Sequence, residues 1–256
     1  MSSIRPDAPF TKTRPGAPPG FFAAEAAGLA WLADAGGVRV AVPLEVTGTG
    51  IVLPYVREVP ATPAHAELFG QALATTHRAG ASHHGCPPAG WESDGFIATL
   101  PLPHTATPLP GGWGPCYARM RLEPYAGALT PDGADVVRRV CERLESGDQA
   151  LTGPLEPPSR LHGDLWSGNV LWSPDGVVLV DPAAHGGHRE TDLAMLALFD
   201  LPHLDRVIAA YDEAWPLAEG WRGRVGLHQL HPLLVHAALF GGGYAARAAD
   251  LARRYV

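Results

Sequence analysis

Lysine is nearly absent from this chain. Of 19 basic residues among 256, one is lysine, Lys12, and the rest are arginine. Arginine's planar fork can stand in for lysine at most surface positions, but not where a narrow site needs a compact point charge. Lys12 therefore stands out as a residue retained for its chemistry. Basic clustering is missing too. The formal net charge is -7 and the pI about 5.9, which excludes the electrostatic footprint of a nucleic-acid binder. No apolar run reaches the roughly 18 residues of a membrane span. The N-terminus, MSSIRPDAPF, has no apolar signal core, so a cytoplasmic protein without membrane contact is expected. Cysteine is scarce: Cys86, Cys116 and Cys141 are scattered and odd in number. They read as free thiols, not as a disulfide frame or a zinc site.

Hydrophobic residues make up 46% of the chain, enough to form the core of one large domain or of two lobes. The chemistry gathers in residues 161–181, LHGDLWSGNVLWSPDGVVLVD. His162, Asp164 and Asn169 come first. Two apolar runs, 170–172 and 177–180, flank a Ser-Pro-Asp-Gly turn and read as a β-hairpin that ends on Asp181. Phosphoryl transfer from ATP needs such a set. One carboxylate accepts the proton of the attacking hydroxyl, while an Asn and a second Asp hold Mg²⁺ against the phosphates. The spacing H-x-D-L-x-x-x-N is that of kinase catalytic loops, with Gly163 where protein kinases carry Arg.

Upstream, residues 9–14 are β-capable, with Lys12 alternating against Phe10. A Pro/Gly link leads to FFAAEAAGLAWLADAGG, where Phe22, Ala26, Leu29 and Leu32 recur at helical spacing and Gly36-Gly37 end the helix. Glu25 lies in its first turns. A strand Lys followed by a helix Glu fits the ion pair that holds the Lys on the α- and β-phosphates. Residues 38–42 and 46–56 alternate as two strands. The order of elements then puts a hinge at Pro54-Tyr55-Val56, whose backbone would meet the adenine edge. A helix is expected over 62–79, with Leu68, Phe69, Ala72, Leu73 and Thr76 on one face. Others are expected over 113–122, carrying Tyr117, Arg119 and Arg121, and over 132–144, capped by Thr130-Pro131 or Asp132. Residues 80–115 are Gly/Pro-rich. Adjacent His83 and His84 point apart there and have no spaced partner, which argues against a metal site. Asp192 opens the helix DLAMLALF, where it would cap or bind backbone amides. Further helices cover 204–215, 221–240 and 244–255. His228, His231 and His236 do not share one helix face and read as core or surface residues.

The runs LHGDLWSGN and DPAAHGGHRETDLAMLALF resemble the fructosamine kinase (ketosamine kinase) family. So do FTKT, FFAAEAAGLAWL, WGPCYARMRLEPY and HQLHPLLVHAALFGGGY around them. That family belongs to the protein-kinase-like group with the aminoglycoside and choline phosphotransferases. The resemblance covers nearly the whole chain. WSGN after the first Asp, and HRE-x-DLAM after the second, separate it from the aminoglycoside enzymes. It implies an α+β, bilobal protein-kinase-like fold, with a reduced N-terminal β lobe over residues 1–56 and a larger helical C-terminal lobe over 57–256. It implies ATP and Mg²⁺, and a ketosamine acceptor, free or protein-bound, phosphorylated on a sugar hydroxyl so that the adduct breaks down and frees the amine. Residue by residue, it implies Asp164 as catalytic base, Asn169 and Asp181 as Mg²⁺ ligands, Lys12 on the phosphates and Glu25 positioning Lys12. Tyr55 and Val56 fall at the nucleotide. His162 and Asp192 become scaffold for the loop, and Trp166, His188, Arg189 and Glu190 face the acceptor. A monomer is expected.

The sequence departs from the family in one place. Members carry two strands and a Gly-containing loop ahead of the strand Lys. Here 11 residues precede Lys12, and none is Gly, whereas two strands and a turn need roughly fifteen to twenty residues. A reduced phosphate lid, weak ATP binding and an exposed sheet edge are the corresponding expectations. Two alternatives stand beside the ketosamine reading: a phosphotransferase for aminoglycosides or other small molecules, and a non-catalytic kinase-shaped binding protein. Retention of Lys12, Glu25, Asp164, Asn169 and Asp181 together weighs against the second.

Overall fold

A computed structural model describes residues 8–256. Of the segment on which the expectation of a missing phosphate lid rests, residues 1–7 lie outside the described residues. The small lobe is formed by β1 (Phe10–Thr13), α1 (Phe21–Ala33), β2 (Arg39–Val40), β3 (Glu45–Val46) and β4 (Gly50–Leu53). β4 runs antiparallel between β1 and β3, with Lys12 opposite Ile51. Ile51 and Leu53 pack against Phe21, Phe22 and Leu29 of α1. Residues 46–56, expected as one strand, instead start at the end of β3, turn over Thr47-Gly48-Thr49, run as β4 and leave the sheet after Leu53. The Thr47 N–H and hydroxyl both donate to the Gly50 carbonyl, at 2.8 and 3.1 Å, so the Thr-Gly-Thr-Gly run folds back on itself.

α2 (Pro63–Arg78) opens the large lobe. Thr62 caps it by accepting the His65 N–H at 3.2 Å, and Pro63 takes the first helical position. Its buried side carries Ala66, Phe69, Leu73 and His77. Leu68, expected on that face, is 57% exposed, because a rotation of about 100° per residue carries it away from Phe69 toward solvent. The Gly/Pro-rich stretch that follows contains a hairpin, β5 (Gly95–Ile97) and β6 (Leu100–Leu102), closed by Ala98-Thr99. α3 (Trp113–Tyr117) passes through a π-helical turn over Ala118–Leu122 into α4 (Glu123–Ala126). α5 (Pro131–Glu145) is capped by Thr130 and followed by the short α6 (Gln149–Thr152).

β7 (Ser159–Leu161) pairs antiparallel with β10 (His185–Gly187). Between them in sequence lies the expected hairpin, β8 (Val170–Ser173) and β9 (Gly176–Leu179). β9 also pairs in parallel with β2, which ties this hairpin to the small lobe. α7 (Glu190–Leu198), α8 (Leu204–Ala214), α9 (Trp221–Phe240) and α10 (Gly243–Ala252) complete the large lobe. One core joins α3, α5, α9 and α10, and another joins α2, β8, β9, α7 and α8. All three cysteines are free and buried. Among the described residues, no helix is long and apolar enough to cross a membrane.

Pro232 interrupts α9 and offers no N–H to the His228 carbonyl. The Tyr117 hydroxyl fills the gap. It lies 3.0 Å from the carbonyl oxygens of both Leu227 and His228, and accepts the His231 N–H at 3.2 Å. Beyond Pro232 the helix carries Val235, His236, Leu239 and Phe240 along the cleft between the lobes.

Candidate active site

β1 and α1 bring Lys12 and Glu25 together, and the segment after β9 adds Asp181. Lys12 Nζ lies 2.9 Å from Glu25 Oε2 and 2.9 Å from Asp181 Oδ1. Burial alone would lower the pKa of the Lys12 ammonium, but the two carboxylates outweigh it and hold it above its usual value. Glu25 is 7% exposed, with Oε1 lacking a hydrogen-bond partner among the described residues. Burial pushes its pKa up, and Lys12 only partly offsets this. Asp181 has a φ of 53°, in the left-handed region that Asp tolerates better than most residues.

Asp164 and Asn169 line the same cleft, of about 340 Å³, as Lys12, Glu25 and Asp181. Asn169 Nδ2 donates to the main-chain oxygen of Asp164 at 2.8 Å and to its Oδ2 at 3.3 Å. The Asp164 carboxyl is pushed up to about 7. Burial is the main cause, the Asn169 hydrogen bond opposes it, and the charges of Asp181 and Asp192 add to it.

The loop is held from behind. Asp192, at the head of α7, accepts the N–H groups of His162 and Gly163 at 2.8 and 3.0 Å, and meets His77 Nε2 at 3.2 Å. Binding of backbone amides was the expectation for this residue; its partner His77 carries no signal in the sequence. His162 donates Nε2–H to the Val180 carbonyl at 2.9 Å and accepts the Asp164 N–H on Nδ1 at 3.3 Å. Burial lowers its pKa, so it sits as a neutral strut. Gly163 has a φ of 81°, and a Cβ there would lie 2.1 Å from the Ala183 carbonyl oxygen. No side chain fits where protein kinases carry Arg.

The family model described as fructosamine kinase matches residues 5–256. The chain belongs to the fructosamine kinase family. A crystal structure of a Thermobifida fusca protein described as a fructosamine-3-kinase is 48% identical, covers 96% of this chain and 84% of its own, and superposes with a TM-score of 0.85. A Thermus thermophilus protein described as a ketoamine kinase is 34% identical over 91% of this chain and 82% of its own. A choline/ethanolamine kinase family protein from Mesorhizobium loti, 18% identical over 94% of this chain and 81% of its own, shares the fold alone with a TM-score of 0.57. The fold is thus bilobal and protein-kinase-like, with a small β lobe and a larger helical lobe. Membership makes the chain an ATP-using phosphotransferase acting on a hydroxyl group.

Three residues of this fructosamine kinase family member expected at the acceptor lie elsewhere. His188, Arg189 and Glu190 are buried and do not line the cleft. Arg189 forks onto Glu156 with both contacts at 2.6 Å, and Glu190 pairs with Arg224 at 2.8 and 2.6 Å. Burial would raise Glu190, but His228 and Arg224 overcome it and hold the carboxyl well below its usual range. The His-Arg-Glu run is thus an internal knot tying α7 to α9 and to the segment before β7. His188, Glu190 and His228 do put ligand atoms within 4.8 Å of one another. The two imidazoles, however, stack at 21° with centroids 5.1 Å apart, so their in-plane lone pairs do not converge on one point. Glu190 is already taken by Arg224. The group is packing and ion pairing, not a metal centre.

Tyr55 and Val56 line a neighbouring cleft of about 410 Å³, with Val40, Ala41 and Val178. Trp166, 40% exposed, lines the main cleft. So do Arg14, Trp91, Phe96 and His104, which the sequence did not single out, and His236, which it read as a core or surface residue. His104 is pushed down to about 4, chiefly by burial, and is neutral at pH 7.

Proposed function

We propose that this kinase transfers the γ-phosphoryl group of ATP to a sugar hydroxyl of a ketosamine, with Asp164 accepting the hydroxyl proton. The acceptor oxygen then bonds to the γ-phosphorus, and the bond to the β–γ bridging oxygen breaks to release ADP. A carboxyl with a pKa near 7 is matched to that task at neutral pH. Lys12 grips the phosphates and Glu25 keeps it in place. Tyr55 and Val56 present main chain to the adenine, and the boundary between the lobes falls after Val56. The chain acts as a cytoplasmic monomer.

Asn169 and Asp181 fit Mg²⁺. The Asn169 amide N–H goes to the Asp164 main-chain oxygen, which leaves its carbonyl oxygen as a donor. Asp181 has a side chain 45% exposed within the cleft. Both offer the hard oxygens that Mg²⁺ takes, and bound Mg²⁺ would neutralise charge on the β- and γ-phosphate oxygens. The acceptor wall is aromatic: Trp166 packs on Phe199 with centroids 6.0 Å apart, and Phe199 on His236 at 5.0 Å. Trp166 and His236 both line the cleft and offer apolar ring surface on which a sugar can pack. Phosphorylation makes the adduct labile, so the product breaks down and frees the amine, which is a deglycation activity.

The observation that carries this reading is the ion-paired group of Lys12, Glu25 and Asp181 in one cleft with Asp164 and Asn169. An acceptor screen tests it. ADP release with ribulosamine, erythrulosamine and fructosamine derivatives should exceed release with aminoglycosides by at least about a hundredfold in kcat/KM. Phosphorylation of an aminoglycoside with no turnover of any ketosamine would contradict it.

A further inference from the structure

Helix α1 is fastened to the large lobe at two places. Its C-terminal half rests on the residues just beyond Asp181. Trp31 and Leu32 pack on Ala184, and Gly28 lets the helix close in, since a Cβ there would lie 3.1 Å from that of Ala184. Its other end, which carries Glu25, meets the β5–β6 hairpin and the loop before it. The Phe96 ring packs on Phe21 with centroids 5.3 Å apart. Trp91 covers Gly20, 3.3 Å from where a side chain would begin. Arg14 stacks its guanidinium on Phe21 at 5.2 Å and reaches the Ala98 carbonyl at 3.5 Å.

The hairpin is itself anchored in the large lobe. Ile97 and Leu102 belong to the core formed with α3, α5 and α9. The Tyr125 hydroxyl donates to the Pro101 carbonyl at 2.7 Å, and Arg121 Nη1 to the Pro103 carbonyl at 2.7 Å. Arg121 is 3% exposed and, among the described residues, has no carboxylate as a hydrogen-bond partner. Burying a guanidinium in this way is unfavourable. Its remaining contacts are the Met120 carbonyl and His185 Nε2, and His185 in turn donates Nδ1–H to Ala183 at 2.8 Å. One buried cation thus links the end of the hairpin to the strand that follows Asp181.

We infer that the β5–β6 hairpin is a brace between the lobes, and that Phe96 is a positioning residue which keeps the Glu25 end of α1 seated so that Glu25 stays on Lys12. Phe96 borders the cleft as well as packing on the helix, and its inferred effect on the nucleotide runs through Glu25. The inference rests on the proposed reading of Lys12 and Glu25 as the pair that grips the phosphates.

A double-mutant cycle on ATP affinity tests it, without any phosphoryl acceptor. In the full chain, Phe96→Ala should weaken Mg-ATP binding about tenfold when Glu25 is present, and less than about twofold in the Glu25→Gln background. Amide exchange over residues 24–27 should quicken about tenfold, while residues 29–33 stay as in the wild type. Equal weakening in both backgrounds, or unchanged exchange over 24–27, overturns the brace. Should Phe96→Ala fail to fold, Phe96→Leu keeps most of the apolar volume and should show the same pattern at about threefold. Wild-type affinity in Glu25→Gln alone would contradict the reading of the ion pair itself. Reduced affinity there with additive loss from Phe96→Ala contradicts only the brace.

Discussion

Asp164 sits under two opposing influences. Burial and two neighbouring carboxylates raise its pKa, and Asn169 lowers it by stabilising the charged form, with a balance at about 7. A base works only when ionised, so kcat/KM should rise about tenfold per pH unit below that value and level off above it. A profile flat from about pH 5.5 to 8.5 would contradict the assignment. The gathering of Lys12, Glu25, Asp164, Asn169 and Asp181 in one cleft was legible because each sits in a short pattern whose spacing carries chemistry. His188, Arg189 and Glu190 were misread for the opposite reason. A run of polar residues looks the same whether it faces a substrate or a buried partner, and the partners Glu156, Arg224 and His228 lie far away in sequence. His77 and His104 had no local pattern at all.

Among the elements, those with strong local signals formed as expected. α2 and α5 begin at Thr-Pro caps, and the β8–β9 hairpin turns at Ser-Pro-Asp-Gly. The β5–β6 hairpin was hidden because its strands are three residues long, one begins with Gly95 and the other contains Pro101. The repair of α9 was equally hidden, since Pro232 is visible in the sequence but the Tyr117 hydroxyl that replaces its missing N–H is not. Tyr117→Phe leaves the buried His228 carbonyl without that donor. The variant should lose about 1–3 kcal/mol in chemical denaturation. A loss below about 0.5 kcal/mol would show that the helix closes the gap by itself.

At the scale of the whole molecule, the cleft explains why its charged group was easier to read than its aromatic lining. Lys12 and Glu25 come from one short stretch, and Asp164, Asn169 and Asp181 from another. The other cleft residues Trp91, His104, Trp166 and His236 come from four separate stretches, and only folding brings them together. In the proposed function Asp164 links nucleotide and acceptor, which makes it the place to test the account. The measurement is ADP release by the wild type and by Asp164→Asn, with Mg-ATP and the ketosamine turned over best in the acceptor screen, alongside the ATP dissociation constant of each. The account predicts a fall in kcat of about a hundred- to ten-thousand-fold with ATP affinity changed less than about twofold. Turnover by the variant within about threefold of wild type would contradict the claim that Asp164 takes the proton.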